Sequence, residues 1–437
     1  MTAYSTYHES GIEWVGPIPE SWIVRPMFAV VDTVKAKNSA LAETNLLSLS
    51  HGRIIRKDID TNEGLLPESF DTYQVVERDD IVFRFTDLQN DKRSLRSALV
   101  GERGIITSAY LAVRPRAHSP SYLSYLTRAY DHQKVFYAMG GGLRQSMKFD
   151  DVRRLPLLFP PLEEQRQIAA YLDRESGKID ELIAKQEQLI ETLAERRHVL
   201  VNDLVTRGLD PHAPLTQSGA LGTSRLPTHW NAISLVRAAP HRVDYRGATP
   251  NKTLSGVQLV TARNVKSGWI DYETSREFVA EDDYLEVMRR GLPEVGDVLL
   301  TMEAPLGNVA LVDRVDVAFA QRVVKFRLNP DLALPEFILW AMNSSYFQQQ
   351  LQSKATGSTA IGLKASKLVE LVVALPPLVE QAQIAAHLET ETRRLDRLML
   401  RSRELAQALG ERRAALIIAA VTGKIDVRSS QSEGVSA

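Results

Sequence analysis

Side chains that can read or grip a polyanion are grouped in six short stretches of this chain. Arg, Lys, Asn, Gln, Ser and Thr carry the donors and acceptors that match base edges and phosphates when they stand on loops or strand ends. "HGRIIRK" offers Arg53, Arg56 and Lys57, and "FRFTDLQNDKRSLR" offers Arg84, Gln89, Asn90, Lys92, Arg93 and Arg96. The glycine-containing loop "MGGGLRQSMK" adds Arg144, Gln145 and Lys148. Further on, "VDYRGATPNKT" offers Arg246, Thr249, Asn251 and Lys252, and "TARNVKSG" offers Arg263, Asn264 and Lys266. A second loop, "ATGSTAIGLK", adds Thr356, Ser358, Thr359 and Lys364. Spacing alone does not separate phosphate contacts from base contacts.

Reactive chemistry is not legible beside these groups. "FPPL" and "LPPL" contain the prolines of an adenine-methylating D/N-P-P-aromatic motif but neither of its flanking residues. A phosphate-cradling loop followed by Lys-Ser/Thr is missing, and so is a nucleophile elbow. The chain has no cysteine, and its nine histidines show no metal-binding spacing such as H-E-x-x-H. The sequence therefore reads as non-catalytic, without a metal or cofactor of its own.

The elements that must position the polar clusters are announced by a repeat. "PPLEEQRQIAAYLD" begins at Pro160, and "PPLVEQAQIAAHLE" begins at Pro376. Pro160–Asp210 aligns with Pro376–Asp426 without a gap, sharing "PPL", "EQ", "QIAA", "ERR" and "VT". So long a period indicates duplication of a whole module rather than a solenoid. Ile168, Leu172, Ile179, Leu182, Leu189, Leu193 and Leu200 recur at three, four and seven residues, as do Ile384, Leu388, Leu395, Leu398, Leu405, Leu409 and Leu416. That is a heptad seam. Pro161 and Pro377 suit a first helical turn, while Gly208 and Gly423 suit the ends. Each helix should run about 40–45 residues, roughly 60–65 Å. The seam is broken by Glu175, Gln186 and Arg196 in one copy and by Glu391, Ser402 and Arg412 in the other. An antiparallel pair with Gln186 opposite Ser402 sets Glu175 beside Arg412 and Arg196 beside Glu391. A parallel in-register pair would set like charges together.

Two globular α/β modules share one plan outside the helices. Each opens on Pro-x-x-Trp, ending at Trp22 and Trp230, and places an Asp before a β-branched strand in "ERDDIVFR" and "EVGDVLLT". A second β-rich run, a helical stretch, the polar loop and an apolar strand into Pro-Pro follow in both. The two tryptophans read as packing residues. The predicted architecture is α+β, with an internal pseudo-two-fold repeat. Residues 1–159 form the first module, 160–207 the first helix and 208–224 a linker. Residues 225–375 form the second module, 376–426 the second helix and 427–437 a disordered tail. With 437 residues and 44% hydrophobic content there is ample core. A net charge of −1 argues against a wholesale polyanion binder but leaves a local basic face possible. Neither a signal peptide nor an apolar run of roughly 20 residues is present, so a soluble cytoplasmic protein without membrane partners is expected.

The two "PPL-x-E-Q-x-Q-I-A-A" helix openings, the two "P-x-x-W" module openings and the module–helix–module–helix order are together specific. On them, nearly the whole chain resembles the specificity subunits of type I restriction–modification systems. The resemblance implies that each module is a target-recognition domain reading one half of a bipartite site in double-stranded DNA. It implies that the long helices pair as an antiparallel coiled coil, space the two domains and dock methyltransferase (modification) subunits, expected to number two. Residues Gln165 to Arg197 and Gln381 to Arg413 would carry spacing and docking. S-adenosylmethionine, ATP and magnesium are then expected in the methyltransferase and restriction/translocase partners, not in this chain. The competing reading from the residues alone is a coiled-coil scaffold whose globular domains bind proteins.

Overall fold

The structure is a computed structural model and describes residues 3–59, 69–86, 88, 95–139, 146–217, 225–247, 249–357 and 361–428. It is mixed helix and sheet with two long helices, Leu162–Arg207 of 46 residues and Leu378–Val421 of 44. The chain divides into two compact units, Met1–Glu187 with Arg403–Ala437, and Gln188–Ser402. Each unit therefore holds one module and part of both helices.

The sheets of the two units have the same order. In the first, Val31–Thr33, Leu111–Pro115, Ile81–Phe83 and Ser97–Leu99 lie side by side, all antiparallel. In the second, His241–Asp244, Val323–Arg327, Val298–Met302 and Leu306–Leu311 do the same. The central strands Ile81–Phe83 and Val298–Met302 are buried at every residue, which is why they read as continuous apolar runs. The aspartates before them are structural. Asp80 accepts the Glu77 N–H at 2.8 Å and takes Arg114 in a two-pronged ion pair at 2.7 and 2.9 Å. Asp297 likewise accepts Glu294 N–H at 2.9 Å and takes Arg327 at 2.9 and 3.0 Å. Each arginine comes from the neighbouring strand, so the motif ties two strands at the edge of the core.

The repeated Pro-Pro-Leu-x-Glu-Gln phrase is a lock between module and helix. The strand that leads into the helix pairs with the strand that follows the module's tryptophan, Pro156–Phe159 with Ile23–Pro26 and Val372–Leu375 with Asn231–Ser234. Trp22 and Trp230 are buried, and each indole N–H donates to the glutamate of the helix's first turn, Glu164 at 3.0 Å and Glu380 at 3.2 Å. The next residue fastens the module's backbone. Gln165 donates to the Pro160 carbonyl at 2.8 Å and accepts from Ser119 N–H at 3.0 Å. Gln381 donates to the Pro376 and Leu332 carbonyls at 2.9 and 2.8 Å and accepts from Leu334 N–H at 2.8 Å. Gln381 is wholly buried. Its replacement by Ala leaves three backbone groups, one buried and two partly buried, without this partner and should cost about 2 kcal/mol, readable as a lower urea midpoint for the purified chain.

Glycines close each unit against the same tryptophans. In the second unit a Cβ on Gly208 (φ +76°) would lie 2.7 Å from Glu380 Oε1 and 3.1 Å from Trp230. In the first, a Cβ on Gly423 (φ +71°) would lie 2.3 Å from Pro19. Only glycine takes this backbone and this closeness together without strain.

Helix side chains complete both cores. Ile168 and Leu172 join Ile417, Ala420 and Val421 in the first unit's core, while Val201, Leu204 and Val205 join Ile384 and Leu388 in the second's. Leu193, Leu395 and Met399 form a further cluster in the second unit. The predicted heptad seam is not buried throughout. Leu182, Leu189, Leu398 and Leu405 are exposed, because a straight helix drifts about 20° per heptad and carries a seven-residue row off the contact line.

The expected charge partners also shift. Glu175 pairs with Lys178 and Arg174 on its own helix, which hold its carboxyl below the usual range, and Glu391 pairs with Arg394. The cross-helix pairs are instead Asp180 with Arg413 in the first unit and Asp396 with Arg197, at 3.1 Å, in the second. In the gapless repeat these are the same pair of positions, with the arginines one residue and the aspartates five residues from the predicted ones. Ser402 is buried.

Two boundaries are corrected. Residues 215–216 of the linker pair with Leu226–Pro227, and Val427, placed in the tail, is buried in the first core. Beside it Arg428 pairs with Asp426 and stands over the Tyr4 ring. No helix among the described residues is long and apolar enough to cross a membrane.

Candidate nucleic-acid interface

The polar stretches of the second unit converge at one end of its sheet. Loop 244–249 is braced by Arg246, which clasps Asp244 with Nε and Nη2 at 2.7–3.1 Å and donates Nη1 to the Leu363 carbonyl at 3.0 Å. That bond ties it to the loop containing Thr356 and Lys364. The same loop is closed by Thr356 and Gly362 exchanging backbone bonds at 2.9 and 3.1 Å, and by Leu363 N–H to the Met302 carbonyl at 2.9 Å. Thr249 accepts from the Gln321 amide. Lys252 pairs with Glu277 at 2.9 Å, and both line a concavity of about 180 Å³ with Arg263, Gln321 and Arg322. Asn251, Thr356, Lys364 and Arg263 are exposed. Lys266 turns back to the Arg263 carbonyl at 2.7 Å.

Three residues at this end escaped the sequence reading: Glu303, Gln321 and Arg322. "AFAQRVVKFRLNP" reads as one β-run, but it is two strands, Val317–Phe319 and Val323–Arg327. The Gln-Arg pair in the middle of an apolar stretch was the available signal. Gln321 (φ +49°) and Arg322 (φ +67°) both take the left-handed conformation, as does Ala304 (φ +46°) opposite them. For side-chain-bearing residues this costs roughly 1–2 kcal/mol each. The conformation is imposed by Met302 N–H on the Arg322 carbonyl at 2.7 Å, Ala320 N–H on Val260 at 3.2 Å and Tyr245 N–H on Val323 at 3.2 Å.

The first unit presents a hairpin, Leu47–Ser50 with Arg53–Arg56, turning on His51 (φ +46°) and Gly52 (φ +75°). Half-buried Arg128 donates to the Gly52 carbonyl and fixes that turn. Arg53 leaves it to pair with Asp180 at 3.2 Å while staying largely exposed, and Arg56 pairs with Glu102. Lys57 is exposed. Burial, together with Arg128, Arg413 and Lys134, pushes His132 down to about 4, so it is neutral near pH 7. Asp131 is pushed up to about 6 by burial, against the pull of the Arg96 N–H and nearby cations. At the sheet end, Met147 N–H bonds the Phe85 carbonyl at 3.0 Å, as Leu363 bonds Met302 in the other unit, which brings half-buried Arg84 and exposed Lys148 near each other in sequence register.

Two candidates are internal rather than interfacial. Arg96 is fully buried, donating to the Thr86 carbonyl at 3.0 Å and Tyr137 Oη at 3.2 Å, and its guanidinium stands over the Tyr137 ring. Asn264 is also fully buried. Its Oδ1 accepts from Thr261 N–H and Oγ1 at 3.0 and 3.1 Å, and its Nδ2 donates to Asp271 and Ser275 carbonyls at 2.9 and 3.0 Å. Both hold loops whose backbone would otherwise be unsatisfied. Gln89, Asn90, Lys92, Arg93, Arg144, Gln145, Ser358 and Thr359 lie outside the described residues.

These loops, mounted on the ends of the sheets and carrying exposed cations, suit recognition. Among the described residues no cluster of His, Asp and Glu is arranged to hold a metal. Residues 272–403 match the family described as the type I restriction modification DNA specificity domain. The type I restriction enzyme MjaVIII specificity subunit of Methanocaldococcus jannaschii is 23% identical over 437 residues, spanning 94% of this chain and 95% of its own. Over nearly its whole length the chain is thus similar to type I specificity subunits. Its fold is that of such subunits as well. A chain from a study of complex assembly and conformational transition in a type I R-M system superposes with a TM-score of 0.70 at 17% identity, covering 93% of this chain and 99% of the other. The HsdS subunit from Thermoanaerobacter tengcongensis gives 0.51 at 17% identity, covering 93% and 98%.

Proposed function

We propose that this specificity subunit recognises a two-part DNA site and directs adenine methylation and restriction by partner subunits. One observation carries the reading: the module-to-helix lock is the same twice, whereas the polar loops at the sheet ends differ. Constant anchorage with divergent readout surfaces is what two readers of different half-sites require. Residues 1–159 and 225–375 are the two target-recognition domains, and the helices set their separation.

The helices pair antiparallel as a coiled coil within each unit, in keeping with a pseudo-two-fold repeat. Asp180–Arg413 and Asp396–Arg197 support this register, since each joins early residues of one helix to late residues of the other. Asp180→Arg should weaken pairing by up to about 1 kcal/mol, the scale of a partly exposed pair, and adding Arg413→Asp should restore part of it. A double-mutant cycle in urea measures this, and no recovery would contradict the register.

Leu182 and Leu189 on one helix and Leu398 and Leu405 on the other are left exposed. Apolar side chains in water on long helices suit docking of methyltransferase subunits, two of them by the internal repeat. Those subunits supply S-adenosylmethionine chemistry, and restriction/translocase subunits supply ATP- and magnesium-dependent cleavage, in the cytoplasm. Mapping methylated adenines in DNA from cells expressing the complete system tests the reading. A single discontinuous motif is expected, and methylation without any such motif would contradict it.

A further inference from the structure

We propose that Arg322 reads a guanine in the half-site taken by residues 225–375, and that Glu303 is the positioning residue that aims it. This rests on the reading of that module as a DNA reader.

The inference starts from the backbone. Glycine would pass through residues 321 and 322 without strain, because positive φ costs it nothing. The chain instead carries two long polar side chains there, at φ +49° and +67°. Packing does not repay them, since Arg322 is about half exposed and its pair with Glu303 is a surface pair of little stabilising value. What the conformation does achieve is direction. The Arg322 carbonyl is fixed by Met302 N–H at 2.7 Å, so the side chain leaves from a rigid point.

Glu303 then restricts the side chain itself. It holds Arg322 by Nε at 3.3 Å, leaving the two terminal Nη groups as a planar fork. Such a fork matches O6 and N7 of guanine in the major groove, which a lysine ammonium cannot do as a plane; the same fork also fits a phosphate, and position-specific relaxation of the motif is what separates the two. Glu303 is anchored in turn by its bridge to Gly362, where an added Cβ would lie 3.1 Å from Glu303 Cβ. Arg263 and Lys252 line the adjoining concavity and supply charge for the flanking phosphates.

The test is methylome sequencing of cells expressing the complete system with Arg322→Lys, Glu303→Gln or Glu303→Ala. The wild-type half-site assigned to residues 225–375 by module exchange should contain a guanine. Arg322→Lys keeps the charge and loses the fork, and should relax that one position by roughly tenfold or more in relative methylation, with the other half and the spacer unchanged. Glu303→Gln keeps an acceptor for Nε and should retain the guanine, while Glu303→Ala should relax it. An unchanged motif with Arg322→Lys, a half-site without guanine, or an equal loss at every position would overturn the proposal. If Arg322→Lys is silent although exchanging residues 225–375 changes that half-site, only this inference fails. If the exchange changes nothing, the underlying reading fails with it.

Discussion

Asp297→Ala is expected to cost the second unit about 3–5 kcal/mol, the scale of breaking a buried ion pair from one side. Asp297 and Lys325 are both almost wholly buried and lie 2.8 Å apart, and Arg327 closes on the same carboxylate at 2.9 Å. Removing the carboxylate strands a buried ammonium that has no access to water. Burial by itself raises the Asp297 carboxyl, but the hydrogen bonds from Arg327 and Lys325 outweigh it and leave it below the usual value of 3.8. A carboxyl depressed on folding contributes stability above its unfolded pKa, and loses it as the pH falls through the folded one. The gap between wild type and Asp297→Ala should therefore be full at pH 7 and narrow below about pH 4. Replacing Lys325 with Met in the same chain should return part of the loss, because the stranded charge goes with it. Urea unfolding of the three chains at pH 7 and pH 3.5 measures this. A gap that does not depend on pH would contradict the ion-pair account.

Much of this fold was legible because its signals are covalently close. The Pro-Pro helix starts, the glycine ends and the buried runs "DIVF" and "DVLL" each depend on local propensity or on a few adjacent residues. The helices Leu162–Arg207 and Leu378–Val421 lie within a few residues of those signals, the second stopping at Val421 rather than at the predicted residue 426. Partner identity was harder. Glu175 and Arg412 looked like opposed charges on a heptad seam, but which charge meets which depends on helix drift and on neighbours such as Lys178. Asp180 and Arg413, a few residues away, are the pair that forms.

The site was legible as stretches and not as side chains. "TARNVKSG" falls on a loop at the sheet end, and within it Arg263 is exposed whereas Asn264 is spent on holding the loop. An asparagine with four internal bonds looks identical in sequence to one facing a base. Arg96 was misjudged for the same reason, since only the fold brings Tyr137 and the Thr86 carbonyl to it. Gln321 and Arg322 were missed because a strand-like run hid a left-handed turn whose cause is hydrogen bonding to Met302, a residue of another strand.

Exchanging residues 225–375 for the corresponding module of another specificity subunit should change one half of the recognised DNA site completely and leave the other half untouched. The expectation follows from the lock. Trp230, Glu380 and Gln381 join that module to its helix as Trp22, Glu164 and Gln165 join the first. A graft that keeps these residues keeps the anchorage and replaces only the loops. With the helices setting the separation of the readers, as proposed, the spacer should also stay as it was. The most direct measurement is methylome sequencing of cells expressing the complete system with the exchanged chain. The account predicts a methylated motif with one new half, one old half and the old spacer; a motif in which both halves change, or neither does, would contradict it.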